Sequence, residues 1–232
     1  MTIAIIAHSE HPPVRHLQTI IQHQLGFTCS MARTPLGEMP PAVEEVRGLI
    51  IMGSLCSVNE YTRLRWLQQE MQWVEQVLQR NIPTLGICFG AQMLAHIAGG
   101  SVRTGEHGHE FGYVKVQSTA MDTCFGQGLD GAEVFQCHHD AYTPPLTATR
   151  LLQGHMYAEQ ATRFAPKVYG VQFHSEITED VVARWHQFGL DHGHVHGPHV
   201  PATAVEHAQL ARQKQPPIHA WLEGFLERLF AA

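Results

Sequence analysis

The chain has 232 residues, of which 44% are hydrophobic and 16% are charged, and its formal net charge is −6. This length is enough for one α/β domain with a sizeable core. The negative charge argues against nucleic acid or an anionic membrane as the main partner. No apolar run approaches the length of a membrane-spanning helix.

The N-terminus and the cysteines bear on the cellular compartment. The segment from Met1 to His8 lacks the basic leading region and the apolar length of a signal peptide. The five cysteines include no Cys-x-x-Cys pair, and their odd number predicts free thiols. We therefore expect a cytoplasmic protein.

The first half of the chain alternates between strand and helix patterns. Buried strands are predicted at Thr2 to Ala7, Phe27 to Ala32 and Gly48 to Met52. Helices are predicted at Val14 to Leu25 and at Leu64 to Leu78, where apolar residues recur at helical spacing. Strands separated by helices predict a parallel sheet with right-handed crossovers.

After Gly100 the pattern changes to short strands joined by turns. It predicts meandering β structure that returns to the main sheet at Val168 to Phe173. The short candidates are Val102 to Arg103, Tyr113 to Gln117, Glu133 to Cys137, Arg150 to Gln153 and Gln160 to Phe164.

The C-terminal part is predicted to be helical. A helix is expected at Thr178 to Leu190, followed by a loop rich in Gly, His and Pro up to Pro201. Thr203 has capping-box spacing with a glutamate and begins the next helix. Pro216 and Pro217 are expected to break that helix, so that Ile218 to Phe230 forms a separate one.

Cys88 lies where a short apolar strand beginning at Thr84 becomes a helix. Gly86 and Gly90 flank it at the two positions where side chains would collide with the backbone of a tight turn. A cysteine presented at a helix N-terminus is favoured as the thiolate. The pattern predicts a nucleophile elbow carrying sulfur, and its alternative is a core cysteine beside two turn glycines.

A second motif lies about ninety residues later, where the predicted strand at Val168 to Phe173 runs on to His174 and Glu176. Residues two apart on a strand point the same way, so Glu176 is expected to fix the tautomer of His174. A cysteine, a histidine and an acid together match the logic of a catalytic triad. Alone, the His-x-Glu pair would be an ordinary surface pair.

These two motifs together resemble those of the class I, or triad, glutamine amidotransferases. That family carries a Gly-x-Cys-x-Gly-x-Gln elbow, seen here at Gly86 to Gln92. It also carries a later Gln-Phe-His-x-Glu segment, seen here at Gln172 to Glu176. The resemblance covers the chain up to about residue 190 and, more loosely, the helical C-terminus.

The resemblance implies a flavodoxin-like α/β sandwich of three layers, with a mostly parallel sheet and added antiparallel β structure. We expect a single domain over 1–232, with a catalytic core over about 1–190 and a helical extension over about 191–232. The implied activity is hydrolysis of a γ-glutamyl amide through a thioester, with Cys88, His174 and Glu176 as the catalytic residues. This chemistry requires no metal and no organic cofactor.

The family's oxyanion hole is carried over to two backbone N–H groups. One belongs to Phe89, which follows the nucleophile, and the other to Gly53, which follows the strand at Gly48 to Met52. The family usually has Gly-Gly-Pro at the second position, whereas this chain has Gly53 to Leu55. The alternative for this loop is a plain strand-to-helix turn.

The resemblance also implies a substrate pocket. Gln92 matches the position that contacts the amino-acid end of glutamine, and His138 and His139 match a segment that lines the pocket through backbone groups. His139 stands where the family has glycine, so the pocket's shape is expected to differ. Glu110 belongs to an acidic-x-Gly element that is expected to be structural.

The remaining cysteines and histidines are given structural interpretations. Cys56 is expected to be a packing residue, and Cys29, Cys124 and Cys137 are expected to be inert. The histidine-rich segment could in principle hold zinc or nickel, but a solvated loop is favoured. Its members are Asp191, His192, His194, His196 and His199.

Three other functions remain open at the sequence level: a cysteine hydrolase of the DJ-1/PfpI type, a non-enzymatic regulatory module that keeps the fold, and a metal-binding protein. No phosphate-binding Gly-x-x-x-x-Gly-Lys motif is present. The chain is therefore expected either to hydrolyse γ-glutamyl compounds alone or to supply ammonia to a partner synthetase. The altered loop at Gly53 and the unusual His139 favour the stand-alone hydrolase.

Overall fold

The computed structural model describes residues 1–195 and 200–231. An eight-stranded sheet forms its centre, in the order β2-β1-β3-β4-β12-β11-β10-β7. The first five strands of this order are parallel and the rest are antiparallel. The strands of this sheet are β1 Thr2–Ala7, β2 Cys29–Arg33, β3 Val46–Ile51, β4 Thr84–Ile87, β7 Gln117–Ser118, β10 Thr149–Gln153, β11 Ala161–Ala165 and β12 Val168–Val171.

The side chains of β1 point alternately to the two faces of this sheet, and they enter a different hydrophobic cluster on each face. Helices therefore cover both faces. Ile3 and Ile5 pack with α1 and the C-terminal half of α5, whereas Ala4 and Ile6 pack with α2 and α3. The three-layer α/β sandwich is therefore confirmed. The helices are α1 Arg15–Thr19, which continues as a π-helix over Ile20–Gln24, α2 Arg65–Gln79, α3 Phe89–Ile97, α4 Glu179–Asp191 and α5 Ala204–Phe230.

Two small antiparallel sheets lie beyond the main one, where the sequence predicted a meander. They pair β5 Ser101–Thr104 with β9 Asp140–Thr143, and β6 Glu110–Lys115 with β8 Glu133–His138. Strand β9 was not predicted, and β7 overlaps a predicted strand only at Gln117. The second pair packs against α4 and α5 around Phe135, which forms a third hydrophobic cluster.

The parallel strands end at a common edge. In the register of the sheet, Ile6 of β1 lies beside Ile51 of β3, which lies beside Gly86 of β4. Val171 of β12 lies beside Ile87 of β4. Residues that follow these strands therefore meet at the carboxyl edge, which is where open α/β sheets place their ligands.

One prediction about the C-terminus is wrong. Pro216 and Pro217 do not break the chain into two helices, because α5 runs without interruption over Ala204–Phe230. Its apolar face is buried in the main core, and Gln215 donates a hydrogen bond of 2.9 Å to the carbonyl of Ile177. This tertiary packing outweighs the cost of the missing backbone hydrogen bonds.

The start of α5 follows the prediction. Thr203 and Glu206 form a reciprocal capping box, with each side chain accepting from the other residue's backbone N–H. None of the helices in the described part of the chain has both the length and the apolar character needed to cross a membrane.

Candidate active site

Cys88 occupies the predicted elbow between β4 and α3. Its backbone has φ of 52° and ψ of −107°, a strained conformation for a residue with a side chain. Cys88 is the N-cap of α3, and its N–H donates a 2.7 Å hydrogen bond to the carbonyl of Val171. The strain therefore holds the thiol at a helix N-terminus, where the dipole favours negative charge.

The two flanking glycines are required by close contacts. A Cβ atom on Gly86 would lie 2.4 Å from the carbonyl carbon of Gly90. A Cβ atom on Gly90 would lie 2.2 Å from the carbonyl oxygen of Ile51. A side chain at Gly86 would force the turn itself open, and one at Gly90 would push the start of α3 away from β3, so the predicted reason for these glycines is confirmed.

His174 and Glu176 meet as expected, but by a different route. Strand β12 ends at Val171, so neither residue lies on a strand. Instead, the backbone N–H of His174 donates to the carbonyl of Phe135 at 2.8 Å, and this contact with β8 fixes the loop. The Nδ1 atom of His174 then lies 2.8 Å from Oε1 of Glu176, with both side chains buried.

The electrostatics around His174 favour the imidazolium. Burial works to lower its pKa, but the charge of Glu176 and hydrogen bonds to Cys88 and Glu176 raise it to about 10. The ring also packs edge-on against Trp185, with the centroids 4.7 Å apart. A cysteine beside a stable imidazolium is the arrangement that activates a thiolate nucleophile.

The loop after β3 closes over this pair. A Cβ atom on Gly53 would lie 3.0 Å from Cε1 of His174 and 3.6 Å from Cβ of Cys88. The loop lacks the family's proline, yet it is braced because the Ser54 hydroxyl accepts from the N–H of Cys56 at 3.1 Å. The backbone of Gly53 therefore lies beside the reacting groups, as the sequence predicted.

Gln92 is buried beneath the site rather than exposed in a cleft. Its Nε2 group donates to the carbonyl of Asp140 at 3.0 Å and to Oε1 of Gln172 at 3.3 Å. These contacts tie α3 to β9 and to the loop after β12. The described contacts of Gln92 are thus with the protein's own backbone and side chains.

His138 also turns its side chain into the protein. Its Nδ1 atom lies 2.9 Å from the carbonyl of Asp140, and its Nε2 atom lies 3.1 Å from Oε2 of Glu110. Gln160 donates to the same carboxylate at 3.1 Å. Glu110 is therefore the centre of a buried polar network, which agrees with its predicted structural role, and His138 offers the pocket only its backbone.

His139 faces solvent, with its side chain 45% exposed and its Nε2 atom 3.2 Å from Oδ1 of Asp140. The other oxygen of this carboxylate accepts from the Ser57 hydroxyl at 2.5 Å. Asp140 thus joins the loop after β3 to the segment that carries His139. Sequence reasoning missed this bridge, although Ser57 shows the capping-box spacing with Glu60 that marks a helix start.

Three of the other cysteines are poor nucleophiles, because burial raises the pKa of their thiols. Burial raises the pKa of Cys29 to about 11, and burial with the neighbouring Cys88 raises that of Cys137 to about 12. Burial also raises the pKa of Cys124. Cys56 is partly buried and packs against the core on the α2 side.

The histidine-rich segment is only partly described. His196 and His199 lie outside the described residues, so metal binding by the whole segment stays a prediction. Across 1–195 and 200–231, no group of three or more metal-ligating side chains is found. His192 instead stacks on Phe188, with the ring centroids 4.0 Å apart.

Comparison with known proteins agrees with this geometry. The model of the glutamine amidotransferase class-I family matches residues 17–183. A GMP synthase [glutamine-hydrolyzing] of Pseudomonas putida is 34% identical over 67% of the chain and 30% of its own length. That of Pasteurella multocida is 28% identical over 67% of the chain and 30% of its own length. The chain thus spans less than a third of the length of these relatives.

Solved structures extend the similarity over the whole chain. A glutamine amidotransferase of Thermotoga maritima is 26% identical, with a TM-score of 0.88 over 100% of this chain and 99% of that one. One from Methylobacillus flagellatus shares the fold at 22% identity, with a TM-score of 0.85 over 99% of this chain and 94% of that one. The family match, the fold and the elbow agree, and the chain belongs to the class I glutamine amidotransferase family.

Proposed function

We propose that Cys88 is the nucleophile of a cysteine amidohydrolase acting on γ-glutamyl amides. Its sulfur attacks the γ-carbonyl carbon, and the C–N bond breaks as His174 gives its proton to the leaving nitrogen. Water then attacks the thioester while His174 takes up its proton, and the C–S bond breaks, which releases glutamate and restores the Cys88 thiolate beside the imidazolium. The carrying observation is the strained elbow that places Cys88 beside an imidazole held by a buried carboxylate: a Cβ atom on Gly53 would lie 3.6 Å from Cβ of Cys88 and 3.8 Å from Nε2 of His174.

The other groups stabilise charge and orientation. Glu176 holds the imidazole through Nδ1, so that the opposite nitrogen faces the sulfur. The N–H groups of Phe89 and Gly53 stabilise the oxyanion that forms on the substrate carbonyl oxygen. Gln92 is proposed to shape the substrate pocket by holding its walls in place. His138 is proposed to line the pocket through its backbone groups.

The proposed substrate is free glutamine or a γ-glutamyl peptide, which the isolated chain would hydrolyse without a partner. The pocket supports this proposal because His139 places a half-exposed imidazole where the family has glycine, beside the carboxylate of Asp140. The loop after Gly53 also differs from the family's Gly-Gly-Pro. Both changes would favour a substrate larger than glutamine.

A second candidate is a glutaminase that supplies ammonia to a synthetase. The observation in its favour is the match to GMP synthases [glutamine-hydrolyzing], in which the similar region is 27–30% of the length. In this case glutamine is the substrate, and turnover requires the synthetase. In both cases we propose the cytoplasm as the compartment, consistent with the five free thiols.

Steady-state hydrolysis by the purified protein tests these proposals. We expect release of glutamate from a γ-glutamyl peptide or glutamine, abolished in Cys88→Ala and retained in the matched control Cys56→Ala. Retained turnover in Cys88→Ala would refute the mechanism. A protein that is idle on every γ-glutamyl compound alone, but active on glutamine with a synthetase, would refute the stand-alone function only.

A further inference from the structure

A histidine outside the triad lies against the oxyanion loop. His8 follows β1 at the carboxyl edge of the sheet, and its side chain is fully buried. Its Nδ1 atom lies 3.1 Å from the carbonyl oxygen of Gly53. Its Nε2 atom lies 2.9 Å from Oε1 of Glu70, a residue of α2 whose side chain is also fully buried.

The direction of these hydrogen bonds follows from the partners. A carbonyl oxygen can only accept, so the Nδ1 atom of His8 must carry a hydrogen and donate it to Gly53. The hydrogen bond between Nε2 and Glu70 fixes the ring from the opposite side. The second oxygen of Glu70 accepts from the hydroxyl of Thr34 at 2.5 Å. The ring of His8 is therefore held in a single orientation.

His8 contacts the second oxyanion element as well. Its ring packs edge-on against the ring of Phe89, with the centroids 4.8 Å apart. Phe89 is the residue whose N–H follows the nucleophile. One buried imidazole thus links the two backbone segments to which the oxyanion donors are assigned.

Stability alone gives no reason for this arrangement. Replacing a buried ion pair by apolar residues of similar volume is often neutral or stabilising, because burial removes both charges from water. The histidine and the carboxylate are instead arranged so that a polarised N–H meets the carbonyl of Gly53. This carbonyl belongs to the residue whose own N–H is the assigned oxyanion donor, so the contact holds that residue in place.

We propose that His8, oriented by Glu70 and Thr34, is a positioning residue that holds the Gly53 loop and Phe89 in the geometry that stabilises the oxyanion. The proposal rests on the mechanism proposed above, because it acts through the same donors. It adds that part of the transition-state stabilisation depends on a side chain that does not touch the substrate. Its loss should lower kcat more than it raises KM.

Two replacements of His8 by an amide side chain, both made in a Glu70→Gln background, separate its contact with Gly53 from its contact with residue 70. In Glu70→Gln, the Gln amide can still donate to Nε2 of a neutral His8, so this variant serves as the parent. Adding His8→Asn places an amide nitrogen near the Nδ1 position and keeps the donor to Gly53. Adding His8→Gln places it near the Nε2 position and loses that donor. Neither double variant leaves a buried carboxylate without a partner.

Two electrophiles then report on the site without requiring turnover. With a chloromethyl ketone analogue of glutamine, the thiolate first adds to the carbonyl to form an oxyanion, and the sulfur then displaces chloride from the adjacent carbon to leave a stable thioether. Iodoacetamide alkylates Cys88 by displacement at a carbon that carries no developing oxyanion. The ratio of the two rates therefore isolates the oxyanion contribution from the reactivity and accessibility of the thiol.

We expect His8→Gln/Glu70→Gln to lose about 10- to 100-fold in ketone capture, less than removal of a whole oxyanion donor. His8→Asn/Glu70→Gln should stay close to the Glu70→Gln parent, and all three should react alike with iodoacetamide. Equal ketone rates in the two double variants, or parallel losses with both reagents, would overturn the proposal. Failure of the ketone to label Cys88 in the unsubstituted protein would instead refute the proposed nucleophile.

Discussion

Two regions of the molecule contain buried histidines whose pKa values are shifted in opposite directions. At the carboxyl edge of the sheet, His174 lies 2.8 Å from the carboxylate of Glu176, and its pKa rises to about 10. Between α4 and α5, His186 and His207 face each other, with their Nδ1 atoms 2.9 Å apart. Burial and the neighbouring His186 lower the pKa of His207 to about 4.

The difference lies in the partner rather than in the burial, which is nearly complete in both places. The pair between the helices is surrounded by aromatic rings, including Phe111 and Phe135 at centroid distances of 5.6 and 5.3 Å from His207. Burial likewise lowers the pKa of His186, although the backbone of Ala202 and the charge of Glu206 oppose it. Of these three histidines only His174 has a carboxylate partner among the described residues, and the proposed proton transfer requires one.

The largest expected effect is on catalysis. His174→Gln should reduce turnover by about 10⁴-fold or more, since it removes the group that moves the proton. The matched control, His207→Gln, removes an equally buried imidazole and should leave kcat near the original value. Steady-state hydrolysis by both variants measures this, and comparable losses in the two would break the distinction between the regions.

The next effect concerns the carboxylate itself. Glu176→Gln keeps the shape but removes the charge that raises the pKa of His174, so turnover should fall by less than the about 10⁴-fold seen for the acid of a serine triad. The loss is smaller because sulfur is intrinsically more nucleophilic than a serine hydroxyl and depends less on its base. Steady-state kinetics of Glu176→Gln measure this loss of turnover. Total loss equal to that of Cys88→Ala would contradict an orienting role, and an unchanged rate would remove Glu176 from the mechanism.

A third effect is expected in mild acid. Folding lowers the pKa of His207 from 6.5 to about 4. Between these two pH values, the unfolded chain therefore binds a proton at this residue that the native state does not bind. The stabilisation is present above pH 6.5 and is lost as the pH falls towards 4. Each kcal/mol lost should lower Tm by about 2–4 °C. Thermal unfolding of the unsubstituted protein and of the double variant His186→Leu/His207→Leu measures this effect. As the pH falls from 6.5 to 4, the Tm of the double variant should fall less steeply.

A fourth effect is expected in mild alkali, where the sign reverses. The pKa of His174 rises from 6.5 to about 10, so the native state holds a proton that the unfolded chain has released. This contribution is complete below pH 6.5 and is lost as the pH rises through about 10. Unfolding of His174→Gln between pH 7 and pH 10 should therefore be less pH-dependent. A steeper dependence in the variant would contradict the raised pKa.

The parts of the site that were predictable share one property: their geometry is local. Gly86, Cys88 and Gly90 form one tight turn, and the steric need for both glycines can be deduced from the turn alone. The parallel sheet followed from alternating strand and helix patterns. The capping box at Thr203 is likewise a contact within four residues.

The parts that were missed depend on tertiary contacts. The route by which His174 reaches Glu176 depends on a backbone hydrogen bond to Phe135, far away in sequence. The continuity of α5 through Pro216 depends on burial of its apolar face in the core. His8 and Glu70 carried only a weak signal, a polar residue after a buried strand and an acid within a helix. No local rule brings such residues together.

Covalent labelling tests the central claim most directly. The purified protein is treated with the chloromethyl ketone analogue of glutamine, and its intact mass and peptide map are determined. The account predicts a single adduct, located on Cys88, because only this thiol is presented at an elbow beside His174. An adduct on Cys56 or another cysteine, or no adduct at all, would contradict it.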